Sequence, residues 1–334
     1  NRVRHAIHSH IISWVRPDGT YAARKLEAFS DQGAYASHGH SICAKGAGAF
    51  PQLYPCDNVE VDAYTVFTNK SVAGAMRGYG IPQAMWAVEC HTEEVAARLG
   101  MDPIEFRRKN LMPVGYMDPF SKNELYSDTF NQCIDKGMEV TDYLRKYKAY
   151  QNQTGDIRRG IGMAVFWYNT AVWPISLETS SCRMVLNQDG SLQVQLGETE
   201  IGQGADTAYT QMTADVVGVP LDKVHVVSCQ DTDVTPFGLG AYASRQTYIG
   251  GFSIRQTGQL LKERILAYAH ELTRMPVSNL DLVEGKIVRT SDGQELMTLG
   301  ELATEALYSL THSQHITAES TSQIKSNAYS FGCT

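Results

Sequence analysis

Three segments of this 334-residue sequence place glycines and polar residues where backbone amides can converge on an anion. The first reads Gly74-Ala75-Met76-Arg77-Gly78-Tyr79-Gly80-Ile81-Pro82-Gln83 and the second Gly197-Glu198-Thr199-Glu200-Ile201-Gly202-Gln203-Gly204-Ala205-Asp206. The third reads Thr235-Pro236-Phe237-Gly238-Leu239-Gly240-Ala241-Tyr242-Ala243-Ser244-Arg245-Gln246-Thr247. Each lies between strand-like and helix-like text, so the donors on offer are the N–H groups that a helix leaves unpaired in its first turn. Arg77 adds a planar, permanently charged fork suited to phosphate or to a metal-oxo group. Any one of these loops is explained by turn chemistry alone, which demands glycine at tight connections. None matches a Walker A loop or the GxGxxG dinucleotide pattern, which argues against ATP and NAD. Three loops in one chain, two of them with an arginine, suit a polyanionic, ring-bearing cofactor held mostly by main chain.

Other chemistries find less support. His8 with His10, and His38 with His40, each present two imidazoles without a third ligand in sequence, as ordinary polar strand and loop residues do. No GxSxG elbow supports a serine hydrolase. The seven cysteines are scattered and never in CxxC spacing, so neither a disulfide framework nor a zinc or iron–sulfur site is implied, and a reducing cytoplasm is the expected location. A net charge of -7 argues against nucleic acid, and the basic run Arg107-Arg108-Lys109 reads as a solvated helix end. No apolar run approaches the roughly 20 residues that span a bilayer, so no membrane partner is expected.

The elements that must position these loops follow from periodicity. Residues 3–36 alternate around Pro17-Asp18-Gly19, which predicts a β-hairpin and a further strand over 25–29. Strict alternation predicts a strand over 59–68. Met85, Val88, Val95, Ala96 and Leu99 follow helical spacing over 82–99, Asp102-Pro103 opens a short helix to Asn110, and 130–148 reads as a third helix. The polar stretch 151–159 marks the expected boundary, giving domains 1–150 and 151–334. Beyond it, strands are expected over 159–167, 181–196 with a turn at Gln188-Asp189-Gly190, 224–228, 280–289 and from Tyr329. Helices are expected over 207–218, 250–272 and 298–309. The pattern is α+β, in two mixed α/β lobes without internal repeat. The chain opens at Asn1 in strand-like text and ends at Thr334 where its last strand should pair, so a fragment is expected.

The order GAMRGYGIPQ, GETEIGQGADT and DTDVTPFGLGAYASRQT resembles the molybdenum-binding subunit of the xanthine dehydrogenase and aldehyde oxidase family, bacterial xanthine dehydrogenases in particular. FSDQGAY at 29–35 and MDPIEFRRKNL at 101–111 extend the resemblance over essentially the whole chain. It implies a molybdopterin-binding domain with the cofactor loops between its lobes, and molybdenum held by a pyranopterin dithiolene, in bacteria often as the cytosine dinucleotide. It further implies 2Fe-2S and FAD groups on partner subunits or domains, the remaining part of the molybdenum subunit, and a dimer of the whole complex. The implied reaction is oxidation of a purine or related N-heteroaromatic by Mo–OH attack and hydride transfer to Mo=S. An aldehyde or nicotinate-type hydroxylase, or a non-catalytic scaffold or assembly fragment, is the alternative.

Carried over by position, Gln203 resembles the glutamine that hydrogen-bonds an oxygen ligand of molybdenum, and Arg77 the arginine that borders the metal and its substrate cavity. Gly78, Ile201, Gly202, Gly204, Ala243, Ser244 and Arg245 resemble the cofactor-binding backbone. Tyr79 stands where xanthine oxidases place a stacking phenylalanine, and Ala241 and Tyr242 lie on the implied substrate side. An ungapped count puts Lys45 at the purine-gripping arginine of the mammalian enzymes, where a lysine holds an anion without bidentate geometry. The second stacking phenylalanine falls near Val172, beside Trp173 and Tyr168, which leaves xanthine, hypoxanthine and nicotinate all open. The family's catalytic glutamate lies in a GEP-like or GEV-like segment that this sequence lacks, so the isolated chain is expected to lack the base. Glu198 and Glu200 match residues that shape the second loop and are not expected to replace it.

Overall fold

The computed structural model describes residues 2–119, 122–173, 178–227 and 231–334, which divide into two compact units, Asn1–Asn169 with Tyr329–Thr334, and Thr170–Ala328. Both mix helices and sheets, as the α+β pattern requires. The division falls later than the polar stretch 151–159, because the strand that follows this stretch pairs within the first unit.

In the first unit, alternation builds β1 (Ala6–Val15) and β2 (Tyr21–Gly33) into an antiparallel hairpin with His8 opposite Phe29. The further strand expected over 25–29 is the second arm of this hairpin. Next comes α1 (Gly39–Leu53), then β3 (Asn58–Phe67), which adds to β2 in parallel with Leu26 opposite Val61. A parallel neighbour needs a crossover, and α1 is that crossover. No helical spacing announced α1, because Gly39, Gly46, Gly48 and Pro51 all lower helix propensity, yet it buries Ile42, Ala49, Phe50 and Leu53. Its end is held by the buried Arg24, which donates to the carbonyls of Phe50 at 2.9 Å and Tyr54 at 2.7 Å.

α2 (Ile81–Leu99) and α3 (Pro103–Asn110) follow as expected. The Asp102 carboxylate accepts from the amides of Ile104 at 2.8 Å and Glu105 at 3.0 Å, the capping that its position before Pro103 predicts. The helix expected over 130–148 is two, α4 (Phe130–Thr141) and α5 (Tyr143–Ala149), broken where Asp142 adopts φ 53°. β4 (Val165–Thr170) starts later than the strand expected over 159–167. Buried Glu89 ties these parts together, accepting from the Tyr54 hydroxyl at 2.5 Å, Arg107 Nε at 2.9 Å and the Val165 amide at 2.8 Å.

In the second unit, β5 (Glu178–Leu186) and β6 (Leu192–Leu196) are antiparallel, α6 (Ala205–Val217) crosses over, and β7 (Val224–Val226) adds to β6 in parallel. The expected end of that strand, 228, lies outside the described residues. A π-helical turn, Gln246–Gly250, leads into the long α7 (Gly251–Thr273). The strand text over 280–289 is β8 (Leu280–Val283) and β9 (Lys286–Arg289), which form a small sheet with β10 (Glu295–Thr298). α8 (Leu299–Tyr308) opens on a capping box of Thr298 and Glu301. β11 (Thr317–Ile324) completes a sheet of order β11-β5-β6-β7, whose Met184, Val194 and Leu196 pack against Ile254, Leu261 and Ile265 of α7.

The last strand, β12 (Ala328–Cys333), returns to the first unit. It was expected to stop short of a partner. It pairs instead with β4, and beside them Ala164 and Thr334 exchange N–H···O bonds of 2.9 and 3.0 Å. Among the described residues no helix is long and apolar enough to cross a membrane.

Candidate functional site

In the first unit, Gly78, Tyr79 and Gly80 have φ of 92°, 49° and 96°. Tyr79 is strained there, since a side chain disfavours the left-handed region. Packing accounts for both glycines. A Cβ on Gly78 would lie 2.6 Å from the Pro82 ring, and one on Gly80 would lie 2.4 Å from the carbonyl oxygen of Ile42 in α1. The Tyr79 hydroxyl meets His38 Nδ1 at 3.0 Å, just before α1. The Arg77 carbonyl accepts from Arg4 at 2.8 Å, whereas its guanidinium is exposed and makes no hydrogen bond or ion pair among the described residues.

Lys45, on α1, hydrogen-bonds the side-chain oxygen of Asn169 and lies 5.8 Å from the centroid of the Tyr168 ring. The loss of hydration pulls its ammonium down to about 8, with Asp118 opposing. Two residues singled out by resemblance, Lys45 and Tyr168, are thus neighbours. Asn169 joins them unforeseen, since one amide in an apolar strand carries no sequence signal.

In the second unit, Gly202, Gly204 and Gly240 have φ of 97°, 84° and 87°, and nothing lies within 4 Å of where a Cβ would stand. Their conformation needs glycine, and their surface is open. The amides of this second loop are nevertheless partly taken. The Glu200 carboxylate accepts from Gly202 at 2.6 Å and from Gly204 and Asp206 at 3.2 Å, and these bonds, that from Asp206 foremost, lower its pKa. The expectation that all three loops offer free amides at helix starts is therefore corrected: at the start of α6 the chain supplies its own anion. Gln203 is exposed but held. Its Oε1 accepts from the Ile201 amide at 2.7 Å, and its Nε2 donates to the Thr199 carbonyl at 3.1 Å and to Gln246 of the π-helical turn.

The third loop carries successive left-handed residues, Ala243 at φ 48° and Ser244 at φ 53°. Such a pair costs of order 1–3 kcal/mol per residue and persists only where the surrounding structure holds it. Their amides make no hydrogen bond among the described residues. Arg245, by contrast, is wholly buried. Its Nε donates to Glu178 at 2.6 Å, one terminal nitrogen to Glu198 at 2.7 and 2.9 Å and to the Gly240 carbonyl at 3.3 Å, and the other to the Thr179 carbonyl at 2.7 Å. Every part of its fork is thus directed inward, which leaves only main chain on the outer side of this turn. The half-exposed Tyr242 ring lies 5.5 Å from its guanidinium carbon, next to Ala241.

The same unit brings Val172 and Trp173 to this loop. The Ala171 amide donates to the Ala243 carbonyl at 2.8 Å, the Val172 amide to Glu178 at 2.7 Å, and Asn327 to the Trp173 carbonyl at 2.7 Å. Gly197 and Gly238 press back to back, a Cβ on the first falling 2.2 Å from the second's nitrogen, so the second and third loops meet without side chains. Glu178 and Gln246 were missed, and only their contacts disclose them. A phosphate-bearing ring fits what this unit leaves open: unpaired amides at Ala243 and Ser244, and uncrowded backbone at Gly240, with Gly202 and Gly204 offering room to approach rather than free amides.

Comparison with known proteins gives the family and the fold. The molybdopterin cofactor-binding domain family matches residues 1–111 and 136–334. The xanthine dehydrogenase molybdenum-binding subunit of Escherichia coli is 42% identical over 334 residues, all of this chain and 44% of that protein. The aldehyde oxidoreductase of Megalodesulfovibrio gigas is 30% identical over 246 residues, 72% of this chain and 26% of that protein. In fold, the quinoline 2-oxidoreductase of Pseudomonas putida superposes with a TM-score of 0.79 at 23% identity, covering 99% of this chain and 44% of that one. The chain thus spans less than half the length of the proteins it matches.

Proposed function

This chain belongs to the molybdopterin cofactor-binding domain family, and we propose that it is part of the molybdenum subunit of a hydroxylase that oxidises a purine or related N-heteroaromatic ring. The observation that carries the reading is the left-handed Ala243–Ser244 pair with unbonded amides above a fully buried Arg245. That arrangement leaves main-chain donors, without a competing side-chain cation, to hold the phosphate of a pterin. When bound, such a cofactor supplies two-electron oxidation of a carbon–hydrogen bond with oxygen taken from water.

The chain's own residues then hold and orient. Ala243, Ser244 and Gly240 take the cofactor's anionic end, and Gln203, held at the loop surface by Ile201, Thr199 and Gln246, reaches the reacting centre by exchanging one of those bonds. Arg77 keeps an exposed guanidinium for an oxygen on the metal or the substrate. Tyr79 offers a ring for stacking, its hydroxyl steadied by His38, and Lys45 offers one charge to an anionic substrate oxygen. Ala241, Tyr242, Tyr168, Val172 and Trp173 complete the proposed substrate side. Neither Glu198 nor Glu200 is free to take a proton from the reacting centre, the first being bound to Arg245 and the second capping α6. The general base is therefore proposed on the remaining part of the subunit. Iron–sulfur and FAD partners, the cytosine dinucleotide form of the pterin and a cytoplasmic location belong to the same proposal.

The relative named for xanthine, 42% identical over the whole chain against 30% over 72% of it for the one named for an aldehyde, favours a nitrogen heterocycle. The test is to purify the native complex, measure molybdenum and pterin, and assay xanthine, hypoxanthine, nicotinate, quinoline and an aldehyde. A loaded complex that oxidises at least one heterocycle is expected. A complex without molybdenum or pterin would overturn the assignment, and one that oxidises aldehydes alone would overturn its substrate class.

A further inference from the structure

We propose that the buried triad Glu178–Arg245–Glu198 is the positioning element that sets the cofactor-facing loops of the second unit in register. All three side chains are 0% exposed. Each belongs to a different segment, and each also fixes backbone. Glu178 accepts from Arg245 on one oxygen and from the Val172 amide on the other, at 2.7 Å. Glu198 is the second residue of the loop that carries Gln203, and both its oxygens bind Arg245. Arg245 follows the left-handed pair directly and turns back to the Gly240 carbonyl at 3.3 Å, so it clamps both ends of the turn that holds Ala243 and Ser244. One rigid, planar fork thereby measures the spacing between the Val172 segment, the Gln203 loop and the Ala243–Ser244 turn, which a lysine with its single point charge cannot do.

Stability alone does not account for this choice of residues. Fully desolvated ion groups are an inefficient way to hold a core, and well-packed apolar replacements of similar volume are often as stable or more so. Directionality is what such a triad provides and an apolar cluster does not. Glu198 carries an additional sign of that cost: burial pushes its carboxyl up even against the pull of Arg245. Gly197 against Gly238, and Gln246 against Gln203, extend the alignment but lie downstream of it.

The inference rests on the cofactor reading above, and its test separates the two. In the intact enzyme complex, the triple replacement Glu178→Leu, Glu198→Leu, Arg245→Met removes the directional bonds while keeping apolar volume. The expected result is a melting temperature close to that of the wild type, with molybdenum and pterin content lowered about tenfold or more, the usual effect of losing outer-shell support. Amide exchange should rise in 197–204 and 240–245 but not in β5 or α7. Unchanged cofactor content with unchanged exchange in both loops would overturn the triad's role. Loosened loops in a complex whose wild type never carries pterin would overturn the cofactor reading instead. If the triple variant does not fold, Arg245→Lys serves: it keeps one ion pair and should lose part of the cofactor while remaining folded, and full retention of cofactor would again overturn the proposal.

Discussion

Arg77 and Arg245 each sit in a glycine-rich loop that leads into a helix, and the loop composition alone does not tell them apart. Arg77 lies exposed with no partner among the described residues, beside glycines whose missing side chains are explained by Pro82 and by α1. Arg245 is buried between two carboxylates, and in its loop Gly240 faces open space where a side chain would stand. In the first loop the arginine side chain is left exposed and the backbone is packed against protein. In the third the Ala243 and Ser244 amides are left open and the arginine is packed against protein. An arginine in a glycine-rich loop therefore says little until it is known which of the two, side chain or main chain, the fold has already used.

Removing each arginine gives the sharpest way to break this comparison. Arg245→Ala leaves two buried carboxylates uncompensated and should cost about 3–5 kcal/mol, read as a lowered denaturation midpoint. Arg77→Ala should change stability by no more than about 0.5 kcal/mol, while lowering kcat/KM on the order of 10²-fold if the exposed fork touches the reacting group. Equal losses of stability would erase the contrast. The glycines come next. Gly80→Ala forces both a left-handed side chain and a clash with the Ile42 carbonyl, for about 2–5 kcal/mol, whereas Gly240→Ala meets only the conformational penalty of about 1–2 kcal/mol. Thermal melts of the two variants check the difference.

The outline of the fold was open to reading because its signals are local. Pro17-Asp18-Gly19 and Gln188-Asp189-Gly190 sit at real strand connections, and Asp102-Pro103 caps a real helix. What escaped depends on partners distant in sequence. α1 was hidden by its glycines and Pro51, which are tolerated because Gly46 must lie against Gly80. β10 and β11 are short or polar strands whose pairing, not pattern, defines them. In the site, the loops themselves were legible and their occupancy was not. That Glu200 caps α6 from within, or that Glu178 reaches both Arg245 and Val172, follows from chain geometry that no spacing encodes.

Two smaller effects sharpen the first unit's share of the comparison. Burial holds the Lys45 pKa at about 8, below the ordinary lysine value of 10.5, so the folded protein releases this proton first. Stability contributed at this position accordingly rises with pH between those values, because there the unfolded chain binds more protons. Binding moves the other way: KM for an anionic substrate should climb as pH passes about 8, and Lys45→Arg should flatten that climb, whereas an identical profile would remove Lys45 from the substrate side. Smallest is Tyr79→Phe, which deletes one hydrogen bond to His38 while keeping the ring. A few-fold rise in KM with little change in kcat is expected, in line with about 0.5–1.5 kcal/mol for a neutral hydrogen bond.

The most direct test of a main-chain cradle is amide hydrogen exchange across residues 241–247 in the intact complex, compared between the cofactor-loaded and cofactor-stripped states. Ala243 and Ser244, whose amides have no partner among the described residues, should exchange slowly when loaded and rapidly when stripped, while the amides of α7 stay unchanged. Equal, rapid exchange of both residues in the two states would contradict the account, because it would mean that no ligand takes the donors this loop leaves open.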